Sequence, residues 1–208
     1  MRRGLAVRSG AIALALAGFA FPVVSEETFV FDRNHSTVGF QIRHTVGRVS
    51  GRFRDYDGTI RIDRQNPAVS RVELTIRAAS IDTDNDKRDA DLRSPSFFDV
   101  EKYPTITFKS SKIDPKGSDT YLVTGDFTMH GVTRSIQIPV KSNGFAKMGK
   151  TEKAGFSIAF PLSRKEYGLT WNRTLDEGGL MLGDEVEISI EIEANKTEPE
   201  APKTNGGR

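Results

Sequence analysis

Cysteine is absent from this 208-residue chain. That excludes disulfides, thiol catalysis, thiolate metal sites and attachment to a membrane through a lipidated cysteine. Histidine is scarce: the three are His35, His44 and His130. None stands in a His-x-His or His-Glu-x-x-His spacing, so no metal site is read. No Gly-x-Ser-x-Gly elbow is present. The longest apolar run, Ala11 to Phe21, is shorter than the ~20 residues a membrane span requires, and no stable membrane anchor is expected. Nor is there a block of lysine and arginine to track a phosphate backbone, which argues against nucleic acid as a partner.

The apolar run has a different meaning in context. Arg2, Arg3 and Arg8 precede or open it, and small residues follow, with Ala20 and Ser25 as cleavage positions. Basic, then apolar, then small is the layout of a secretory signal peptide, predicted over residues 1–25 and removed on export. The full chain carries a net +2, and this segment holds three arginines and no acid, so the exported part carries −1. A single domain is expected over residues 26–196. Residues 197–208 lack the apolar side chains a core needs and are expected to be a disordered tail.

Between these ends the pattern is period two. Val38, Phe40, Ile42, His44 and Val46 alternate with polar neighbours, which places them on one face of a strand. The same alternation recurs at Ile60 and Ile62; Val72, Leu74 and Ile76; Ile106 and Phe108; Tyr121, Val123, Phe127 and Met129; Ile136, Ile138 and Val140; Phe156, Ile158, Phe160 and Leu162; and Val186 to Ile192. Asp57-Gly58, Asn66-Pro67, Asp114 to Gly117, His130-Gly131, Asn143-Gly144 and Gly183-Asp184 punctuate the runs as turns. About eight strands so arranged predict an all-β antiparallel sandwich or barrel. One stretch, Asp82 to Tyr103, departs from the pattern. Asp84 or Asn85 is placed to cap a helical turn over Asp86 to Leu92, and Ser94-Pro95 to open a second over Ser96 to Asp99. Phe97 and Phe98 lie on this crossover, which is expected to cover one barrel end.

Candidate chemistry is thin. Asp32, His35 and Ser36 are close in sequence, but adjacent strand residues face opposite ways, so a turn held by hydrogen bonds is the favoured reading. Asp82, Asp84, Asp86, Asp89 and Asp91 lack the glycine and terminal glutamate of a calcium loop. They read as helix caps whose charge Lys87, Arg88 and Arg93 offset. His44 shares parity with apolar residues and is read as a buried structural imidazole or as a polar contact for a ligand. Parity leaves open whether the interior is filled or hollow, since eight strands allow either.

The ordered motifs resemble the YceI-like family. They are Phe31-Asp32-x-x-His35-Ser36-x-Val38-x-Phe40-x-Ile42-x-His44, Gly51-x-Phe53, Gly58-x-Ile60, Ile81-x-Thr83, Lys87-Arg88-Asp89-x-x-Leu92-Arg93-Ser94, Phe97-Phe98-Asp99, Tyr103-Pro104-x-Ile106-x-Phe108, Gly125-Asp126-Phe127-Thr128-x-His130-Gly131 and Gly183-Asp184-Glu185-Val186. The resemblance implies an eight-stranded lipocalin-like barrel with one or two short helices in the crossover. It implies a periplasmic protein that binds a polyisoprenoid or related long-chain amphiphile, with no catalytic residues and no cofactor beyond a bound isoprenoid quinone or fatty-acyl ligand. A homodimer is compatible with it. The expected ligand-binding residues are Phe40, Ile42, His44, Phe53, Leu74, Ile76, Phe97, Phe98, Phe108, Phe127, Met129, Ile138, Phe156, Ile158, Phe160 and Trp171, with Arg164 and Asn172 as further headgroup contacts. The rival readings are a lipid-modifying enzyme using His35, Ser36 and His44, and a structural stress-response protein with a solid interior.

Overall fold

Alternating side chains need a sheet with one dry face, and the computed structural model supplies one, describing residues 26–176 and 178–197. Residues 1–25, the expected signal segment, and residues 198–208 of the expected tail lie outside the described residues, while Thr197, the first residue of that tail, donates its amide to the Thr28 carbonyl at 2.8 Å. The strands are β1 (Glu27–Phe31), β2 (Thr37–His44), β3 (Gly47–Phe53), β4 (Tyr56–Ile62), β5 (Arg71–Arg77), β6 (Ile81–Asp82), β7 (Thr105–Pro115), β8 (Thr120–Met129), β9 (Val132–Met148), β10 (Thr151–Ser163) and β11 (Leu182–Lys196). Both β1 and β2 pair with β11; β3 pairs with β2 while β4 pairs with β1; β5 pairs with β4 while β6 pairs with β3. Each of these couples is thus one long strand with a break, and the chain makes an eight-stranded antiparallel meander. It closes where the last strand pairs with the first, Val30 opposite Asn195 and Val38 opposite Ile190. Closure removes the unpaired edges that an open sheet would expose.

Along β11, Val186, Ile188, Ile190 and Ile192 face inward and Glu185, Glu187, Ser189 and Glu191 are exposed outside. Besides an irregularity in β11 between Leu182 and Val186, which keeps the parity, two bulges interrupt this regularity, in β7 between Ser110 and Lys112 and in β9 opposite Gly155 and Phe156. Each inserts a residue and reverses which parity faces in. So Ile113 continues the inward row of Phe108, and Phe145 continues that of Ile138.

Several expected turns are internal to strands instead. Asp57-Gly58 lies in β4, Asn143-Gly144 at the β9 bulge and Gly183-Asp184 in β11. Gly58 serves packing there. A Cβ on it would lie 2.3 Å from the Phe31 ring, which crosses it from the neighbouring strand. Val46 is a second correction. The strand ends at His44, Thr45 turns the chain with φ 51°, and Val46 projects fully into solvent at the tip.

The register places the β2–β3 turn, residues 83–104, His130-Gly131 and residues 164–181 at one end of the barrel. Shorter connections lie at the other. The crossover holds one helix, α1 (Asp86–Arg93), capped by Asn85, whose side chain accepts from the Arg88 amide at 3.0 Å. Buried Asp89 accepts from the Thr83 amide and hydroxyl at 3.0 and 2.5 Å. Arg93 donates to the carbonyls of Ala79 and Ile81, each at 2.7 Å. The charge balance expected within the segment is therefore realised differently. Arg88 and Arg93 hold backbone and hydroxyl oxygens, and Asp82 and Asp84 pair with Arg52 and Arg54 of the barrel. The second expected helix is also absent. Ser94 terminates α1, and Ser94 to Asp99 form hydrogen-bonded turns.

Candidate functional site

Inward residues in mid-strand would be sealed from solvent in a solid barrel. Here Phe40, Ile42, Leu74, Phe127, Phe156, Ile158, Phe160, Ile188 and Ile190 all keep accessible surface. The surface they keep faces a cavity of about 760 Å³ inside the barrel. It runs from His44, Phe97 and Trp171 at the helix-bearing end to Arg64 and Phe145 at the other, and its wall is dominated by aliphatic and aromatic side chains. The volume is in the range of small-molecule sites, ~300–1,000 Å³.

The wall is assembled strand by strand. Phe40, Ile42 and His44 come from β2, Phe53 from β3, and Leu74 and Ile76 from β5. Phe108 comes from β7, Phe127 and Met129 from β8, Ile138 from β9, and Phe156, Ile158 and Phe160 from β10. Phe97 and Phe98 reach it from the crossover and Trp171 from the loop after β10. All sixteen residues of the expected ligand-binding set, from Phe40 to Trp171, thus lie on this wall. Phe98 meets Phe53 edge to face with ring centres 6.0 Å apart, and Phe97 lies 5.0 Å from Trp171.

The two further headgroup candidates part ways. Arg164 lines the cavity but is consumed by its own loop, donating to the carbonyls of Gly183, Leu169 and Trp171 and lying 3.5 Å from Asp184. Burial holds its pKa below the ordinary arginine value, against the pull of Asp184. Asn172 is not on the wall. It bridges the hairpin between residues 172 and 182, donating to the Leu182 carbonyl at 2.8 Å and accepting from its amide at 3.0 Å.

Outside the barrel, Asp32, His35 and Ser36 hold the break between β1 and β2. Ser36 bonds both backbone groups of Glu193, and His35 Nδ1 lies 2.9 Å from Asp32. The Asp32 carboxyl is lowered to about 2, first by the bond from His35, with burial opposing. Asp32, His35 and Glu193 converge closely enough to hold a metal ion, a grouping drawn from the first and last strands that sequence spacing did not reveal. Lys153 already bonds both carboxylates. His44 stands apart, on the cavity wall at the helix-bearing end, with Thr45 Oγ1 3.3 Å from its Nδ1. His130 packs against Tyr103, ring centres 4.6 Å apart.

Sequence reasoning missed Phe31, Ile60 and Ile62 on the wall, although their parity matches. It missed Phe145 because of the bulge, and the polar wall residues Asp63, Arg64, Thr83, Arg88, Asp91, Ser94 and Ser96, which sit on connections where no periodicity applies.

Residues 29–194 match the model of the YceI-like domain. The chain belongs to that family. A UPF0312 protein of Photorhabdus laumondii is 37% identical over 158 residues, 76% of this chain and 80% of the relative. One of Staphylococcus aureus is 32% identical over 173 residues, 82% of this chain and 98% of the relative. Among solved structures, BcnA of Burkholderia cenocepacia superposes with a TM-score of 0.68 at 26% identity, covering 78% of this chain and 98% of that one. The Campylobacter jejuni YCEI protein gives 0.65 at 30%, covering 74% and 88%. A polyisoprenoid binding domain from Saccharophagus degradans shares the fold at 17% identity, TM-score 0.62, covering 81% and 98%.

Proposed function

We propose that this YceI-like protein is a periplasmic carrier that holds one long-chain amphiphile, a polyisoprenoid or a similar chain, inside its barrel. The cavity carries this reading. A long apolar chain in water gains ~25 cal/mol for each Å² of apolar surface it buries, and the wall is built to supply that burial. The signal-like residues 1–25 support export to an aqueous compartment, where such a chain is poorly soluble. The Saccharophagus domain, by its name a binder of polyisoprenoids, is alike in fold only, so the ligand class rests here on the shape and lining of the cavity.

The rival readings gain less support. A nucleophilic site would need His35, Ser36 and His44 together, whereas Ser36 is committed to the Glu193 backbone and His44 stands at the opposite end of β2. A purely structural role predicts a filled interior, against the 760 Å³ cavity.

The test is direct. Protein purified from the periplasm of its host is extracted with solvent and the extract analysed by mass spectrometry. A stoichiometric isoprenoid or fatty-acyl compound is expected. Protein that is ligand-free and has no affinity for added isoprenoid quinone or fatty acid would sink the proposal.

A further inference from the structure

The cavity wall carries three arginines, Arg64, Arg88 and Arg164, and they are not equivalent. Arg64 donates to Glu27 at 2.5 Å and to Glu152 at 2.7 Å, and its guanidinium lies 4.0 Å from the centre of the Phe145 ring. Arg164 is held by three carbonyls, with Asp184 beside it. Arg88 donates from Nε to Thr83 Oγ1 at 2.7 Å and from one Nη to the Thr83 carbonyl at 2.8 Å. Among the described residues no carboxylate lies within ion-pairing distance of it. A guanidinium has five donors, and two are used. A half-buried cation without a counterion is unfavourable unless an acceptor completes it. Ser94 and Ser96 lie on the wall of the same crossover, as does exposed Asp91, one helical turn after Arg88.

We propose that Arg88 is the headgroup-reading residue, and that the amphiphile it reads ends in a carbonyl or carboxylate oxygen. This rests on the carrier reading above. The two bonds to Thr83 fix the guanidinium plane, and the unused donors are what a terminal oxygen requires. The apolar chain then runs down the barrel toward Phe145. Among the arginines of the wall, Arg88 alone has donors to spare without breaking an ion pair.

The single tryptophan, Trp171, lies on the wall at the same end, against Phe97, and reports binding there. Affinities of the wild type for dodecanoate, methyl dodecanoate and dodecane are measured by Trp171 fluorescence and compared with those of Arg88→Gln. The proposal expects the variant to lose about tenfold or more on the oxygen-bearing ligands and to bind dodecane unchanged. Comparing dodecanoate with its ester then tells whether charge or the carbonyl is read. An equal loss on dodecane, or no loss on any ligand, overturns the assignment. Because Arg88 also braces Thr83, a second measurement uses wild-type protein alone. Stearate bearing a nitroxide near its carboxyl end should quench Trp171 more strongly than stearate labelled near its methyl end. The reverse order would put the headgroup at the Arg64 end and overturn the proposal. Wild-type protein that binds none of these chains removes the carrier reading itself, a failure distinct from the others.

Discussion

Single side chains decide whether the barrel can stay both closed and hollow. Large rings cross inward-facing glycines, and the crossings differ in hardness. A Cβ on Gly51 would meet the tip of the Phe40 ring at 2.3 Å, a side-chain end that can swing toward the cavity, and the Thr83 methyl at 2.8 Å, which the hydroxyl bonds to Asp89 and Arg88 hold more firmly. A Cβ on Gly125 would meet the Lys109 carbonyl oxygen at 2.5 Å, and that is backbone. Gly125→Ala is therefore expected to cost about 2–3 kcal/mol and Gly51→Ala about 1, by denaturant unfolding. Equal costs would show that the strand spacing is softer than the geometry implies. Asp32 gives a pH prediction. Its carboxyl falls from an ordinary 3.8 to about 2 on folding. A depressed carboxylate stabilises the fold above the unfolded value and loses that contribution as pH drops through the folded one. Between pH 4 and 2 the wild type should lose about 1 kcal/mol more than Asp32→Asn, allowing for solvent screening. Parallel stability profiles for the two proteins would remove Asp32 from the account. Parity in the sequence located inward residues such as Leu74 and Phe160 because a strand alternates strictly. It failed at Ile113 and Phe145, since an inserted bulge residue leaves no mark in hydropathy.

At the level of elements, the strands were legible and their breaks were not. The alternation over residues 37–44 and 59–62 marks β2 and β4, but β3 (Gly47–Phe53) is too rich in glycine and arginine to alternate clearly. The helix was legible from its Asn85 cap and acidic first turn. The second was not realised, because Ser94, placed to open it, is instead bonded back to Asp91 through both amide and hydroxyl. The helix-bearing end is closed in part by the Phe97–Trp171 pair, rings 5.0 Å apart from two separate connections. An aromatic pair contributes ~0.5–1.5 kcal/mol beyond area burial. Phe97→Ala should accordingly speed ligand dissociation about two- to tenfold and lower the melting temperature by only about 2–6 °C, as read by stopped-flow displacement and thermal unfolding. An unchanged rate would mean the ligand leaves by the Arg64 end.

For the molecule as a whole, the sequence announced a β-barrel or sandwich, and the family motifs chose between them. Closure depends on β11 pairing with both β1 and β2 across 138 to 167 residues, from Leu182 opposite His44 to Lys196 opposite Phe29, and no local pattern encodes such a partnership. Hollowness is equally non-local. Eight strands allow a filled or a hollow interior, and the inward side chains of all the facing walls together decide which. The central claim is that a long chain lies inside the barrel, and blocking that space tests it most directly. Ile158 projects from β10 into the cavity between Val140 and Ile190 of the adjacent strands. Ile158→Trp narrows the cavity at mid-barrel, where a long chain must pass, and the free space there should let the protein stay folded. The measurement is native mass spectrometry of both proteins after incubation with a long-chain isoprenoid quinone. One quinone per wild-type chain and none on a folded Ile158→Trp is the expected result; equal occupancy of the two proteins would place the ligand outside the barrel and contradict the account.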